Sequence, residues 1–135
     1  YSRQWAEKNL DSSEKFSLGG PSGVRAYPVS EASGDDGWKW TAELRWNVPT
    51  REGDTNVWQM IVFVDGGHVS IYHEGYPGYT GPDSRSLYGA GLGVNWSNDD
   101  NWVARVNYAW KLGHEPAVSD SDRSGRFWFQ VYKFF

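Results

Sequence analysis

Phe127-Trp-Phe-Gln-Val-Tyr-Lys-Phe-Phe135 ends the sequence, and the reading of this stretch decides the fold. A soluble chain seldom finishes on an aromatic strand whose last residue is phenylalanine, whereas barrels of the outer membrane often do. So short a strand has no apolar core of its own. It expects lipid on one face and a paired neighbour along each edge. The terminus therefore points to a transmembrane β-barrel wall, with Phe127, Phe129, Val131 and Phe135 as the outward set that would serve as its assembly signal.

Composition is compatible with that reading. The chain of 135 residues is 39% hydrophobic and 17% aromatic, with nine Trp and eight Tyr. No stretch approaches the ~20 apolar residues that a spanning helix needs, but a barrel needs only alternate residues to face lipid. The absence of Cys removes disulfide scaffolds, thiolate zinc sites and cysteine nucleophiles together. A net charge of -4 argues against a nucleic-acid partner. There is no initiator Met and no signal peptide, so Tyr1 reads as an internal position of a longer precursor.

Period-two alternation predicts five strands. From Trp38 to Val48, Trp38, Trp40, Ala42, Leu44, Trp46 and Val48 alternate without a break against Lys39, Thr41, Glu43, Arg45 and Asn47. From Trp58 to Asp65, Trp58, Met60, Val62 and Val64 oppose Gln59, Ile61, Phe63 and Asp65. Tyr88 to Trp96 sets Tyr88, Ala90, Leu92, Val94 and Trp96 against Gly89, Gly91, Gly93 and Asn95. Trp102 to Leu112 and the terminal strand from Arg126 complete the set, the last interrupted by Lys133 near a rim where lysine can snorkel. A sixth strand is expected to end near Leu10. The outward set comprises Trp40, Leu44, Val62, Leu92 and Val106, and the lumen set Lys39, Glu43, Arg45, Gln59, Arg105 and Asn107, since a slip by one residue would reverse all of them.

Alternation alone fits a soluble sandwich equally well. The tryptophans favour the membrane. With the C-terminus on the periplasmic side, Trp46, Trp58, Trp96 and Trp102 fall at one end of the strands and Trp38 and Trp110 at the other, as two aromatic girdles. Connections agree: 97–101 and 49–56 are shorter, and 11–36, 66–85 and 113–125 are long, in alternation.

The long connection 11–36 contains Leu10-Asp-Ser-Ser-Glu-Lys-Phe16-Ser-Leu-Gly-Gly-Pro-Ser-Gly-Val24-Arg25-Ala26-Tyr27-Pro28. This run, with Glu43-Leu-Arg, Phe63-Val-Asp65 and Gly125-Arg-Phe-Trp, resembles the TpsB outer-membrane transporters of two-partner secretion, in the superfamily of barrels that carry POTRA domains. The resemblance covers essentially the whole chain. It implies that residues 1–135 form one unit, the C-terminal third of a barrel of about sixteen strands, with the 11–36 loop folded into the lumen. It also implies residence in the bacterial outer membrane in contact with its lipid, insertion by the barrel-assembly machinery, and export of one large β-helical partner, an adhesin or cytolysin, without ATP. The family's POTRA domains and plug helix have no counterpart in these residues. An insertase that assembles barrels shares the superfamily and its loop, and is an alternative. A small soluble β-barrel that binds a ligand is another, and it would need no detergent.

Carried over residue by residue, Val24, Arg25, Ala26 and Tyr27 match the family's Val-Arg-Gly-Tyr loop tip, and Asp65 after Phe63 matches the strand aspartate that anchors it. Glu43, on the adjoining polar face, is a second partner for the Arg25 fork. Ala26 stands where glycine is commoner, which would strain the backbone if that position needed a positive φ. Read without the resemblance, Arg25 is a solvated loop arginine and Asp65 ends a strand ahead of Gly66-Gly67.

Other clusters carry less. Asp120-Ser-Asp122-Arg-Ser124-Gly125 starts like a calcium loop, but Val131 stands where the closing Glu belongs. His68, His73 and His114 fall in predicted external loops without metal-ligand spacing and read as surface residues. Gly89, Gly91 and Gly93 alternate on a strand with no helix after them, so they read as room for the inserted loop rather than as a phosphate cradle. No nucleophile stands with a base, and neither an enzyme nor a cofactor is expected. Closed membrane barrels start at about eight strands, so the open edges of a five- or six-stranded piece could pair with further copies of it.

Overall fold

The computed structural model describes residues 1–5, 11, 13–71, 78 and 83–135. Eight strands run in chain order: β1 (Ser2–Gln4), β2 (Phe16–Ser17), β3 (Ser33–Gly34), β4 (Asp36–Val48), β5 (Val57–Ser70), β6 (Ser84–Ser97), β7 (Trp102–Lys111) and β8 (Gly125–Lys133). Six of them form one antiparallel sheet in the order β1-β4-β5-β6-β7-β8, and β2 and β3 pair as a small ribbon inside the loop. The described residues contain no helix, and the sheet is not closed. The architecture is thus all-β, the wall of a partial barrel.

Register carries the alternation across the sheet. Leu44 pairs with Val62, Val62 with Leu92, Leu92 with Tyr108 and Tyr108 with Phe127. Every one of the five is exposed, Leu44 at 75% and Phe127 at 61%. Trp46, Met60 and Phe129 extend the same surface. So large a contiguous apolar face is foreign to a soluble monomer and suits lipid. Trp58 lies beside Trp96 at one end of that face, their rings 6.2 Å apart. Toward the other end Trp40 and Tyr88 flank Gly66, where a Cβ would meet the Trp40 ring at 2.8 Å.

The inner face is where the core sits. Ile61, Phe63, Val69, Leu87 and Ala109 project from it and are covered by Leu18, Val24, Ala26 and Tyr27 of the loop. The loop therefore packs on the inner wall like the second layer of a small domain, and the inner face is part apolar rather than uniformly polar.

Several boundaries differ from the sequence reading. The strand predicted to stop at Asp65 runs to Ser70, and its partner begins at Ser84 instead of Tyr88. Gly66-Gly67 read as a turn because paired glycines usually punctuate strands. Here they meet a need for close approach: a Cβ on Gly67 would lie 2.5 Å from the Leu18 side chain. His68 consequently lies within β5, stacked on Trp38 at 6.2 Å and hydrogen-bonded to the Ser86 hydroxyl at 2.8 Å, and is not a loop residue. His114 is exposed between β7 and β8, and His73 lies outside the described residues. The first strand spans Ser2–Gln4, and its predicted end near Leu10 lies outside the described residues.

Phe135 lies beyond β8, which stops at Lys133, although the Phe134 N–H still donates to the Asn101 carbonyl at 3.0 Å. Lys133 does not break the outward set. Its ammonium lies over the rings of Trp102 and Phe135, at 5.2 and 5.5 Å, which is how a cation is tolerated at an apolar rim.

Candidate functional site

The site grows out of four neighbouring inner positions on two strands. Thr41 pairs with Asp65 and Glu43 with Phe63, so two carboxylates flank one aromatic ring on the wall. The loop tip lowers Arg25 onto them. Its guanidinium lies 3.4 Å from the centroid of Phe63. Its Nε donates to Asp65 Oδ2 and its Nη2 to Asp65 Oδ1, both at 2.9 Å, and its Nη1 donates to Glu43 Oε1 at 2.9 Å. The backbone N–H of Arg25 adds a bond to Asp65 Oδ2 at 3.1 Å, and the Thr41 hydroxyl donates to Oδ1 at 2.8 Å. Asp65, wholly buried, thus accepts from four donors, which is what allows an ionised carboxylate to stand there.

Glu43 is shared. Arg45, two residues along the strand, holds its other oxygen through Nε at 2.9 Å. The fork geometry of arginine makes this chain of charges possible, since a lysine could not serve both carboxylates and the ring at once.

The rest of the tip is clamped by elements far away in sequence. Trp128 on β8 donates its indole N–H to the Arg25 carbonyl at 2.7 Å. The Tyr27 hydroxyl donates to the Glu115 carbonyl at 2.9 Å, under the Lys111 ammonium at 4.7 Å from its ring. Burial, with the Glu115 charge adding to it, pushes the Tyr27 phenol up to about 12, so it stays a donor at neutral pH. Ala26 has no positive φ and carries none of the strain expected of it. Its methyl faces Gly89, where a Cβ would come within 2.7 Å. Gly89 therefore makes room for the loop. Gly91 and Gly93 face Phe63 and Asn107 instead, so only the first of the three touches the inserted tip.

A second buried cluster had no signal in the sequence. Glu31, at 0% exposure on the descending arm of the loop, accepts from Arg85 Nη1 at 2.5 Å. It also accepts from the Val118 N–H at 3.0 Å, the Ser119 N–H at 2.8 Å and the Ser119 hydroxyl at 2.6 Å. Burial alone would raise the Glu31 carboxyl, but the Ser119, Arg85 and Val118 hydrogen bonds outweigh it and hold it below the usual carboxylate range. Arg85 in turn holds Glu115 Oε1 at 2.9 Å and the Pro116 carbonyl at 2.7 Å.

The acidic run near the start of β8 is engaged internally. Asp120 accepts from Arg126 at 3.2 Å, and Asp122 takes the Ala117 N–H at 2.9 Å and the Lys111 ammonium. Phe127, Phe129 and Val131 are exposed on the outward face of β8.

The arrangement anchors a loop to a wall. Comparison with known proteins places that arrangement in a family. The model of the haemolysin secretion/activation protein ShlB/FhaC/HecB matches residues 1–96. The chain is similar to the heme/hemopexin transporter protein HuxB of Haemophilus influenzae, 29% identical over 133 residues, which is 98% of this chain and 23% of that protein. It is similar too to the outer membrane transporter CdiB of Dickeya dadantii, 31% identical over 112 residues, covering 82% of this chain and 19% of the relative. The chain thus spans less than a quarter of the length of these curated relatives. No solved structure matches it. The family match extends over β1, β4, β5, nearly all of β6 and all of the loop, with Arg25, Glu43 and Asp65, and the chain belongs to the haemolysin secretion/activation family ShlB/FhaC/HecB.

Proposed function

We propose that these residues are one unit of an outer-membrane pore that exports a large partner protein, and that the loop 11–36 is seated in the lumen against the pore wall. The chain is located in the outer membrane. The observation that carries the reading is the ion pair of Arg25 with Asp65 on the side of the sheet opposite the apolar face. An arginine anchored by two carboxylates on the inner wall is an arrangement for holding a loop in a channel; the partner would be an adhesin or cytolysin of the type such transporters serve. Lipid covers Leu44, Val62 and Leu92. Phe127, Phe129, Val131 and Phe135 act as the signal that the barrel-assembly machinery takes up.

In cells that make the full-length protein and its partner, Arg25→Ala should lower the amount of partner outside the cell several-fold, with the partner retained in the periplasm. The amount of inserted transporter should change little. Partner export at the wild-type level by both Arg25→Ala and Asp65→Ala would remove the role given to the loop.

A further inference from the structure

The loop is held at two places that share no side chain. The tip is fixed by Arg25 on Asp65 and Glu43. The descending arm is fixed by Glu31, whose donors are Arg85 and residues 118–119. Those two residues belong to the connection 112–124 between β7 and β8. The same arginine that grips Glu31 also grips Glu115 and the Pro116 carbonyl of that connection. A carboxylate with no exposed surface and four donors is costly unless every bond is kept.

The backbone gives independent support. Ser30 and Ala32, on either side of Glu31, have φ of 63° and 52°. Left-handed conformations at residues other than glycine persist only where their surroundings impose them. Within Pro28-Val-Ser-Glu-Ala-Ser33 the Glu31 N–H closes a turn onto the Pro28 carbonyl at 3.3 Å, and the Ser33 hydroxyl donates to the Ser30 carbonyl at 3.2 Å. The bend, held also by the Leu18 and Gly19 N–H groups on the Ala32 and Glu31 carbonyls, carries the Glu31 carboxylate to Arg85 and residues 118–119.

We infer that Glu31 is a second positioning residue of the lumen loop, which ties it through Arg85 and the N–H groups of Val118 and Ser119 to the connection 112–124, so that the loop leaves its seat only together with the opening of that connection. The inference takes the placement of the loop in a lumen from the reading above but does not depend on export. Opening of the outer connection would loosen the loop, and a ligand that held the connection in place would hold the loop closed. This is a linkage between two surfaces in which the Glu31 carboxylate acts beside the Tyr27 hydroxyl, which donates to the Glu115 carbonyl of the same connection.

The test uses the full-length protein in detergent and measures no secretion. Hydrogen exchange at the Val118 and Ser119 amides reports the outer connection, and the rate of thiol labelling at Val24→Cys, a buried site in the tip, reports the seat of the loop. In Glu31→Gln both rates should rise roughly tenfold or more, because bonds to a charged group are lost. Ser119→Ala removes one donor from an exposed connection without touching the wall, and should move both rates in the same direction by a smaller factor. It carries the test if Glu31→Gln does not insert. Faster exchange at 118–119 with unchanged labelling at residue 24 would limit Glu31 to fixing the connection and overturn the linkage. Unchanged amide exchange in both variants would overturn the anchor itself.

Discussion

The 135-residue chain produced alone is expected to leave detergent as an assembly of copies, not as a monomer of 15.3 kDa. The sheet ends at β1 on one side and β8 on the other. Among the described residues β1 covers only Gly37–Lys39 of β4, which leaves the edge of that strand open from Trp40 to Val48. Among the described residues β8 has a partner only in β7. Each unpaired N–H or C=O in hydrocarbon costs several kcal/mol, and two edges of this length carry far more than the loop contacts could offset. One copy has too few strands to close, because membrane barrels begin at about eight, whereas two six-stranded sheets exceed that minimum. Closure would still enclose the inner face. Mass measurement in detergent is the check, and a stable monomer that keeps its strand content would contradict the edge argument.

The second large effect is expected at Asp65. Replacing it with alanine in the full-length protein removes the acceptor for the Arg25 N–H, Nε and Nη2 and for the Thr41 hydroxyl at once. Arg25 would be left buried with Glu43 as its one carboxylate partner. Breaking a buried pair by deleting one side costs about 3 to 5 kcal/mol. Glu43→Ala should cost much less, about 1 kcal/mol, since it takes a single bond from Arg25 and its other partner, Arg45, is exposed. Denaturant midpoints for the two variants, with wild-type inserted amounts as control, give the ordering. Equal losses would mean that the tip is held by the Phe63 and Trp128 contacts instead. The detachment expected is that of the tip and not of the whole loop, whose arm is kept by Glu31 and whose apolar residues Leu18 and Tyr27 are fully buried.

What could be read from sequence follows from what is local. The unbroken alternation from Trp38 to Val48 is a property of adjacent residues, and the register from Leu44 across to Phe127 reproduces it. The family resemblance drew attention to Arg25, Glu43 and Asp65, and the structure brings these three together. Glu31 gives no signal because its partners are 54 and 88 residues away, Arg85 at the start of β6 and Ser119 in a connection with no periodic pattern. Trp128 reads as part of the aromatic strand and of the Gly125-Arg-Phe-Trp match, with no role at the loop tip, since nothing in that strand tells that its indole reaches the Arg25 carbonyl. β5 reads shorter in the sequence than in the structure for a different reason. Glycine has two uses, tight turning and close approach, and Gly66-Gly67 serve the second, against Trp40 and Leu18.

The central claim is that the sheet is a membrane wall with Leu44 toward lipid and Arg45, its neighbour, toward the lumen. Spin labels at these two positions of the full-length protein in a bilayer test it most directly, because adjacent residues on a strand must report opposite environments. The account predicts that the label at position 44 is relaxed by lipid-soluble oxygen and the label at 45 by a water-soluble nickel chelate. The reverse assignment, or strong nickel relaxation at both positions, would contradict it.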